Sequence, residues 1–347
     1  MKVLVTGANG FLGRHAVARF RRRGHDVRAL VRPAADLNPL RWDSGVEIVR
    51  ADLRAGADLR QAIESVDAVV HLAAAVSGGE YGQFVAAVRG TERLLEAMAQ
   101  TSVKRLVMAS SFSVYDWSHI RGTLSEDSPV ECEPYERDGY AIAKIWQERV
   151  ARRMSEEHQF QLTVLRPGFL WGSGNEYTYA LGQQVGRFHL LVGPMRRPAL
   201  SHVENCADAF VHATENPAAI GHTFNVIDTE LPTVWLYAAE YLRGTGTSGI
   251  RVPIPYWLGK SITHLAQFTS RILFNGKGKL PSILIPCRFE ARFKPMRFSN
   301  AKLRDVLGWS PPLDFQRCLL CTYETREPQR ISGNESQEPD TEEFVHA

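Results

Sequence analysis

Thr6-Gly7-Ala8-Asn9-Gly10-Phe11-Leu12-Gly13 constrains this chain more than any other stretch. It joins an apolar run, Val3–Thr6, to an amphipathic stretch with Val17 and Phe20 on one side and Gly24 placed as a C-cap. Glycines there permit a tight bend and a close approach of helix to strand. They also leave the first N–H groups of the helix open to an anion. A glycine pattern alone is weak, but its place between a first strand and a first helix makes it a dinucleotide signal.

Short apolar runs and helical patterns then alternate. The runs are Val27–Val31, Val46–Val49, Ala68–Leu72, Arg105–Ala109 and Leu162–Leu165. Each is nearly continuous, as expected of strands covered on both faces. Phe84, Val88, Thr91, Leu95 and Met98 mark one stripe of a helix. The alternation predicts an α/β fold with a doubly wound parallel sheet. The 347 residues suggest about two domains. The expected division is 1–168, with segments near 202–228 returning to it, then a smaller substrate domain from 169–201 and 229–326. Residues 327–347 read as a disordered acidic tail. Leu303–Thr325, around Leu307-Gly308-Trp309, reads as one final helical element.

Lys plus Arg exceed Asp plus Glu by 41 to 38, too little to suggest a nucleic-acid partner. Five cysteines fit a reduced compartment better than a disulfide framework. Cys318 and Cys321 lack a second ligand pair for zinc, so they read as packing residues, and no metal is expected. His71 and His202 read as structural, and Arg19, Arg21, Arg22 and Arg23 as a solvated helix end. No apolar run is long enough to span a bilayer, and Met1–Val5 enters the first strand directly. The expected location is cytoplasmic.

Leu30-Val31-Arg32 follows the second strand, where an NAD site would place an acid for the ribose hydroxyls. Arg32 instead suits a 2′-phosphate, which favours NADP(H) and leaves NAD(H) open. Asp52, before Leu53, reads either as an acceptor for the adenine amino group or as a helix N-cap. The fifth strand ends in Ala109-Ser110-Ser111-Phe112-Ser113, and Tyr140 and Lys144 follow at helical i, i+4 spacing. An ammonium beside a phenol favours the phenolate, and such a Tyr can move a proton at a substrate oxygen.

With these motifs the chain resembles an extended short-chain dehydrogenase/reductase of the NAD-dependent epimerase/dehydratase superfamily. The likeness runs from Val3 to about Thr325. Its other carriers are His71–Ala74, Gly90-Thr91, Arg166-Pro167-Gly168, His202-Val203, Ala207-Asp208-Ala209 and Leu307-Gly308-Trp309 with Pro311. The resemblance implies a Rossmann-like fold with Tyr140 as acid/base, Lys144 lowering its pKa and holding the nicotinamide ribose, and Ser111 orienting the substrate, with Ser113 in reserve. It implies that Gly7, Asn9, Gly10, Phe11, Leu12, Gly13, Arg32, Asp52, Leu53, Leu72, Ala73, Ala74, Pro167 and Gly168 line the cofactor. A homodimer through helices 81–99 and 140–153 is a further implication.

Three departures narrow the activity. Ala87 stands where the family commonly has Asn, and Phe112-Ser113 stand where 4,6-dehydratases carry Asp-Glu. Pro198 and Arg292-Phe293-Lys294-Pro295 depart from the diphosphate clamps of nucleotide-sugar epimerases, although Arg196 and Arg197 are near. The acid-free stretch 251–289 is more similar to 3β-hydroxysteroid and sterol dehydrogenases. Val252–Trp257 and the helix after it either meet a lipid surface, through 253–275, or pack on the substrate domain. The leading expectation is an NAD(P)-dependent oxidoreductase acting on a secondary alcohol or ketone, of sterol-like or other carbonyl type. The alternatives are a nucleotide-sugar epimerase and a non-catalytic dinucleotide-binding protein.

Overall fold

The structure, a computed structural model, describes residues 1–40, 42–55, 59–74, 79–274 and 280–324. The tail 327–347, residue 275 at the end of the 253–275 stretch and Thr325 lie outside them. The first half runs β1 (Lys2–Thr6), α1 (Phe11–Arg22), β2 (Asp26–Val31), β3 (Val46–Arg50), α2 (Arg60–Ile63), β4 (Ala68–His71), α3 (Glu80–Phe84), α4 (Gly90–Ala99) and β5 (Arg105–Ala109). Then come β6 (Thr123–Leu124), α5 (Gly139–His158), β7 (Gln161–Pro167), β8 (Phe169–Trp171), β9 (Gly182–Val185), β10 (Phe188–Val192), β11 (Leu200–His202) and α6 (Val203–Glu215). The chain ends with β12 (Thr223–Val226), α7 (Val234–Thr245), β13 (Ile250–Ile254), α8 (Tyr256–Phe274), α9 (Pro286–Phe293), β14 (Arg297–Phe298), α10 (Ala301–Leu307) and α11 (Phe315–Tyr323).

Seven parallel strands form the main sheet in the order β12-β7-β5-β4-β1-β2-β3. The fold is Rossmann-like. Strand residues alternate between two cores because side chains in a strand alternate faces. Val3, Val5, Val27 and Ala29 meet Ala16 and Phe20 of α1 and Val203 and Phe210 of α6. Leu4, Val69 and Leu106 meet Leu94 and Met98 of α4 and Val150 and Met154 of α5. Each fully buried side chain of this size contributes roughly 1.5–3 kcal/mol. The order reverses beside β1, which opens a crevice at the carboxyl ends of β1 and β4.

Expectations about β3, the last helical element and the arginines of α1 change. β3 is the sheet edge and is half exposed, with Ile48 at 46%, so only part of it is covered. The final helical element is two helices, because Gly308 caps α10 with φ +65 and Pro311-Pro312 delay α11. The arginines at the end of α1 and its C-cap are paired rather than only solvated: Arg19 with Asp208, Arg22 with Glu204, Arg23 with Glu215 and Arg21 with Asp43.

The stripe from Phe84 to Met98 faces the second core, but a π turn over Val85–Arg89 interrupts its helix. Trp171, Leu181, Leu191, Tyr237 and Phe315 build a third core beside the small sheet β13-β10-β9. Helix α8 buries Gly259, Thr263 and Ser270 and turns its large apolar side chains outward. Trp257 is 68% exposed, Leu265 65% and Phe268 61%, so the expectation that this face packs on the substrate domain does not hold.

Candidate active site

The glycine turn lies at the crevice. Gly7 has φ +67, and a Cβ there would come within 2.9 Å of the Ala73 backbone. A Cβ at Gly13 would lie 2.0 Å from the Gly7 carbonyl oxygen, so only glycine lets α1 start this close to β1. Gly10 caps α1 without a side-chain bond, and the first turn carries no acid. The N–H groups beginning at Phe11, Leu12 and Gly13 therefore present a positive helix end to the rim. Asn9 is half-buried in the same turn. Leu72 and Ala73 are tied to it, donating to the Thr6 carbonyl (3.3 Å) and to Thr6 Oγ1 (3.3 Å), and Ala74 follows, exposed.

Arg32 is exposed just past β2, and its charge helps hold the Asp52 carboxyl below its usual range. Arg54 does most of that work, with its guanidinium 2.8 Å from Asp52 Oδ2. Asp52 also accepts from the Arg54 N–H at 2.8 Å, closing a turn, so it is not the helix N-cap. The residue before α2 is Leu59. Leu53 is buried against Gly90, whose Cβ would lie 3.2 Å from it.

Tyr140 and Lys144 stand one turn apart at the start of α5. Asp138 caps that helix, accepting from the Ala141 N–H at 3.0 Å. Ser111 caps the short turn after β5 and accepts from the Ser113 N–H at 3.1 Å. Burial pushes the Tyr140 phenol up, while a side-chain hydrogen bond with Ser111 draws it back. The Lys144 ammonium donates to the Ala109 carbonyl (2.8 Å) and to Gln147 Oε1 (2.9 Å). Burial lowers its pKa to about 8, against the opposing charge of Glu148. Of the groups acting on the Tyr140 phenol, Ser111 is the one that draws it down, while burial and the Asp138 charge push it up. Pro167 is buried at the end of β7, and Gly168 comes so close to the Ala199 carbonyl that a Cβ would sit 2.1 Å from it.

A buried polar layer supports these residues. Glu148 accepts from Ser110 Oγ (2.6 Å) and from the Arg166 guanidinium (2.5 Å), and Arg166 lies over the Tyr115 ring. Gln147 links Lys144 to Thr91. Neither Gln147 nor Glu148 stands out in the sequence. Their positions at i+3 and i+4 from Lys144 were the available signal. His71 is structural as expected: it bonds Thr6 and Thr91, and burial pushes it down to about 3. His202 is too, bonding Thr322 and receiving the Glu204 N–H. Cys318 is buried, but Cys321 is exposed and so is not the packing residue expected. Among the described residues no cluster could hold a metal.

An open rim at the strand ends, a helix N-terminus aimed at it and a Ser, Tyr and Lys group beside it define an enzyme of the extended short-chain dehydrogenase/reductase type. The family model described as the NAD dependent epimerase/dehydratase family matches residues 3–226, and the chain belongs to that family. It is 26% identical to an Arabidopsis thaliana 3beta-hydroxysteroid-dehydrogenase/decarboxylase (isoform 1), over 93% of this chain and 79% of that one. It is 28% identical to a 3 beta-hydroxysteroid dehydrogenase/Delta 5-->4-isomerase of Mycobacterium tuberculosis, over 92% and 88% of the two chains. The crystal structure of UDP-glucuronic acid 4-epimerase from Bacillus cereus in complex with NAD shares the fold, with TM-score 0.69, 19% identity and 93% and 96% of the chains covered.

Proposed function

We propose that this oxidoreductase moves a hydride at a secondary alcohol or ketone of a steroid-like or other lipid-soluble carbonyl compound. The observation that carries the reading is Tyr140 and Lys144 sharing one face of α5, with Ser111 acting on the phenol. Residues of the glycine turn, with Leu72, Ala73, Ala74, Pro167 and Gly168, would hold the dinucleotide. The turn fits that group, since its glycines leave no Cβ in the way and α1 begins without an acid. When bound, the nicotinamide supplies or accepts the hydride.

The chain's own residues handle the proton. Burial keeps the Tyr140 phenol protonated at neutral pH, so it can donate to a carbonyl oxygen that Ser111 orients. Lys144 sets a positive charge beside that oxygen and the ribose. At higher pH the phenolate can accept the proton back, which supports alcohol oxidation.

Two observations weigh against a nucleotide sugar. The Arg196 guanidinium is buried and donates to the Val192 and Ala180 carbonyls. Arg197 donates to the Leu231 carbonyl, so neither is poised for a diphosphate. Both steroid dehydrogenases above point the same way. Exposed Arg32 favours NADP(H). The outward apolar face of α8 suits a cytoplasmic protein lying on an anionic lipid surface, and among the described residues no helix is long and apolar enough to cross a membrane.

The test is reduction of a panel of steroid-like ketones by wild type and Tyr140→Phe. Turnover should fall at least ~100-fold while cofactor affinity is kept. Surviving turnover would overturn the mechanism. Stoichiometric NAD released from acid-quenched protein would favour the epimerase reading instead.

A further inference from the structure

Gln147 sits on the buried face of α5 and is 1% exposed. We propose that Gln147 is a positioning residue whose amide clamps the Lys144 ammonium and ties it to the Thr91–His71 pair behind the glycine turn. The inference rests on the reading of Lys144 given above.

The hydrogen-bond accounting leaves little freedom. An ammonium has three N–H donors and no acceptor. The Ala109 carbonyl takes one at 2.8 Å and Gln147 Oε1 takes a second at 2.9 Å. One N–H therefore remains for the ribose and the phenol. The amide orientation is forced, because an NH2 turned toward the ammonium would set donor against donor. Gln147 Nε2 then faces Thr91 Oγ1 at 2.9 Å.

Thr91 Oγ1 donates to the Ala87 carbonyl at 2.6 Å, so it offers only lone pairs to Gln147 and to His71 Nε2, which is 2.8 Å away. His71 Nδ1 lies 2.7 Å from Thr6 Oγ1. The chain thus runs from the ammonium to Thr6, the last residue of β1. Every other member is neutral, since burial keeps His71 uncharged. Lys144 is the single charge on this line, and the Gln147 oxygen is the dipole end that favours it. Glu148, the other charged group of α5 that acts on Lys144, is itself bonded to Arg166 and Ser110.

A glutamine that merely fills space would leave the titration of Lys144 alone. The test is NMR of protein carrying 13Cε-labelled lysine, titrated from neutral to alkaline pH, with the Lys144 signal assigned by its loss in Lys144→Arg. Gln147→Leu removes the acceptor and should lower the Lys144 midpoint by about one unit, a tenfold change in its protonation equilibrium. Gln147→Glu keeps the shape and adds a negative charge, so it should raise the midpoint by about one unit or more. If Gln147→Leu does not fold, the rise in Gln147→Glu decides alone. A midpoint within about 0.3 units of wild type in Gln147→Glu, or a fall there, overturns the proposal. The titration needs no substrate. Its failure is therefore separate from a failure of the Tyr140→Phe test, which judges the mechanism itself.

Discussion

We propose that Arg32 favours NADP(H) over NAD(H) at this site. Asp52, just past the end of β3, has its carboxylate engaged by Arg54 and held ionised, so it is not free to serve a ribose hydroxyl. A guanidinium pairing with a 2′-phosphate contributes about 1.5–3 kcal/mol, which is roughly ten- to a hundredfold in affinity. Arg32→Glu should therefore weaken NADPH binding at least tenfold or so and leave NADH binding nearly unchanged, as read by fluorescence titration. An unaltered ratio of the two affinities would remove Arg32 from the phosphate site. The placement of Tyr140 and Lys144 on one helix was legible in the sequence because their spacing is local, and that of Ser111 because it follows the end of a strand. Gln147 was not, because its meaning depends on His71 and Thr91, which only the fold brings to it. The arginines of α1 were misread for the same reason, since Asp208 and Glu215 lie far along the chain.

Among the elements, α8 shows how far periodicity carries. Its apolar spacing correctly indicates an amphipathic helix but does not say which face is covered. The packing is settled by small residues: a Cβ on Gly259 would come within 2.5 Å of the Phe289 ring, so α9 lies hard against that side. Leu265, Phe268, Ile272 and Leu273 are left facing outward, and no acid occurs from 251 to 289. Lys260 pairs with Glu290, and Arg271 is exposed on the same helix. We expect the protein to sediment with phosphatidylserine vesicles, less so in high salt. Leu265→Glu with Phe268→Glu should reduce binding at least about tenfold, since each buried apolar side chain contributes roughly 1.5–3 kcal/mol. Equal sedimentation of the double variant would exclude this face.

Across the whole molecule, the parallel sheet with helices on both faces followed from the alternation of elements, while its strand order and the way the C-terminal segment joins it did not. We propose the division into 1–168 with 202–228, and 169–201 with 229–326. One carboxylate crosses it. Asp208 of α6 pairs with Arg19 of α1 and accepts from Trp309 Nε1 at 2.8 Å. Leu303, Leu307 and Trp309 then pack into the first core with Phe210 and Phe224. This explains physically why Ala207-Asp208-Ala209 and Leu307-Gly308-Trp309 occur together: one supplies the acceptor and the other the indole, and Gly308 at φ +65 turns the chain toward it. Asp208→Ala would strand a nearly buried indole N–H and uncouple Arg19, at a cost of about 2–3 kcal/mol. For a chain of this size that is a fall in Tm of roughly 3–4 °C. Asp208→Asn keeps an acceptor for Trp309 and loses only the charge, so its fall should be about half as large. Tyr140 and Lys144 lie on the other face of the sheet, so cofactor affinity below the transition should match wild type in both variants. A Tm within about 1 °C of wild type for Asp208→Ala would mean that apolar packing alone joins the segment to the sheet.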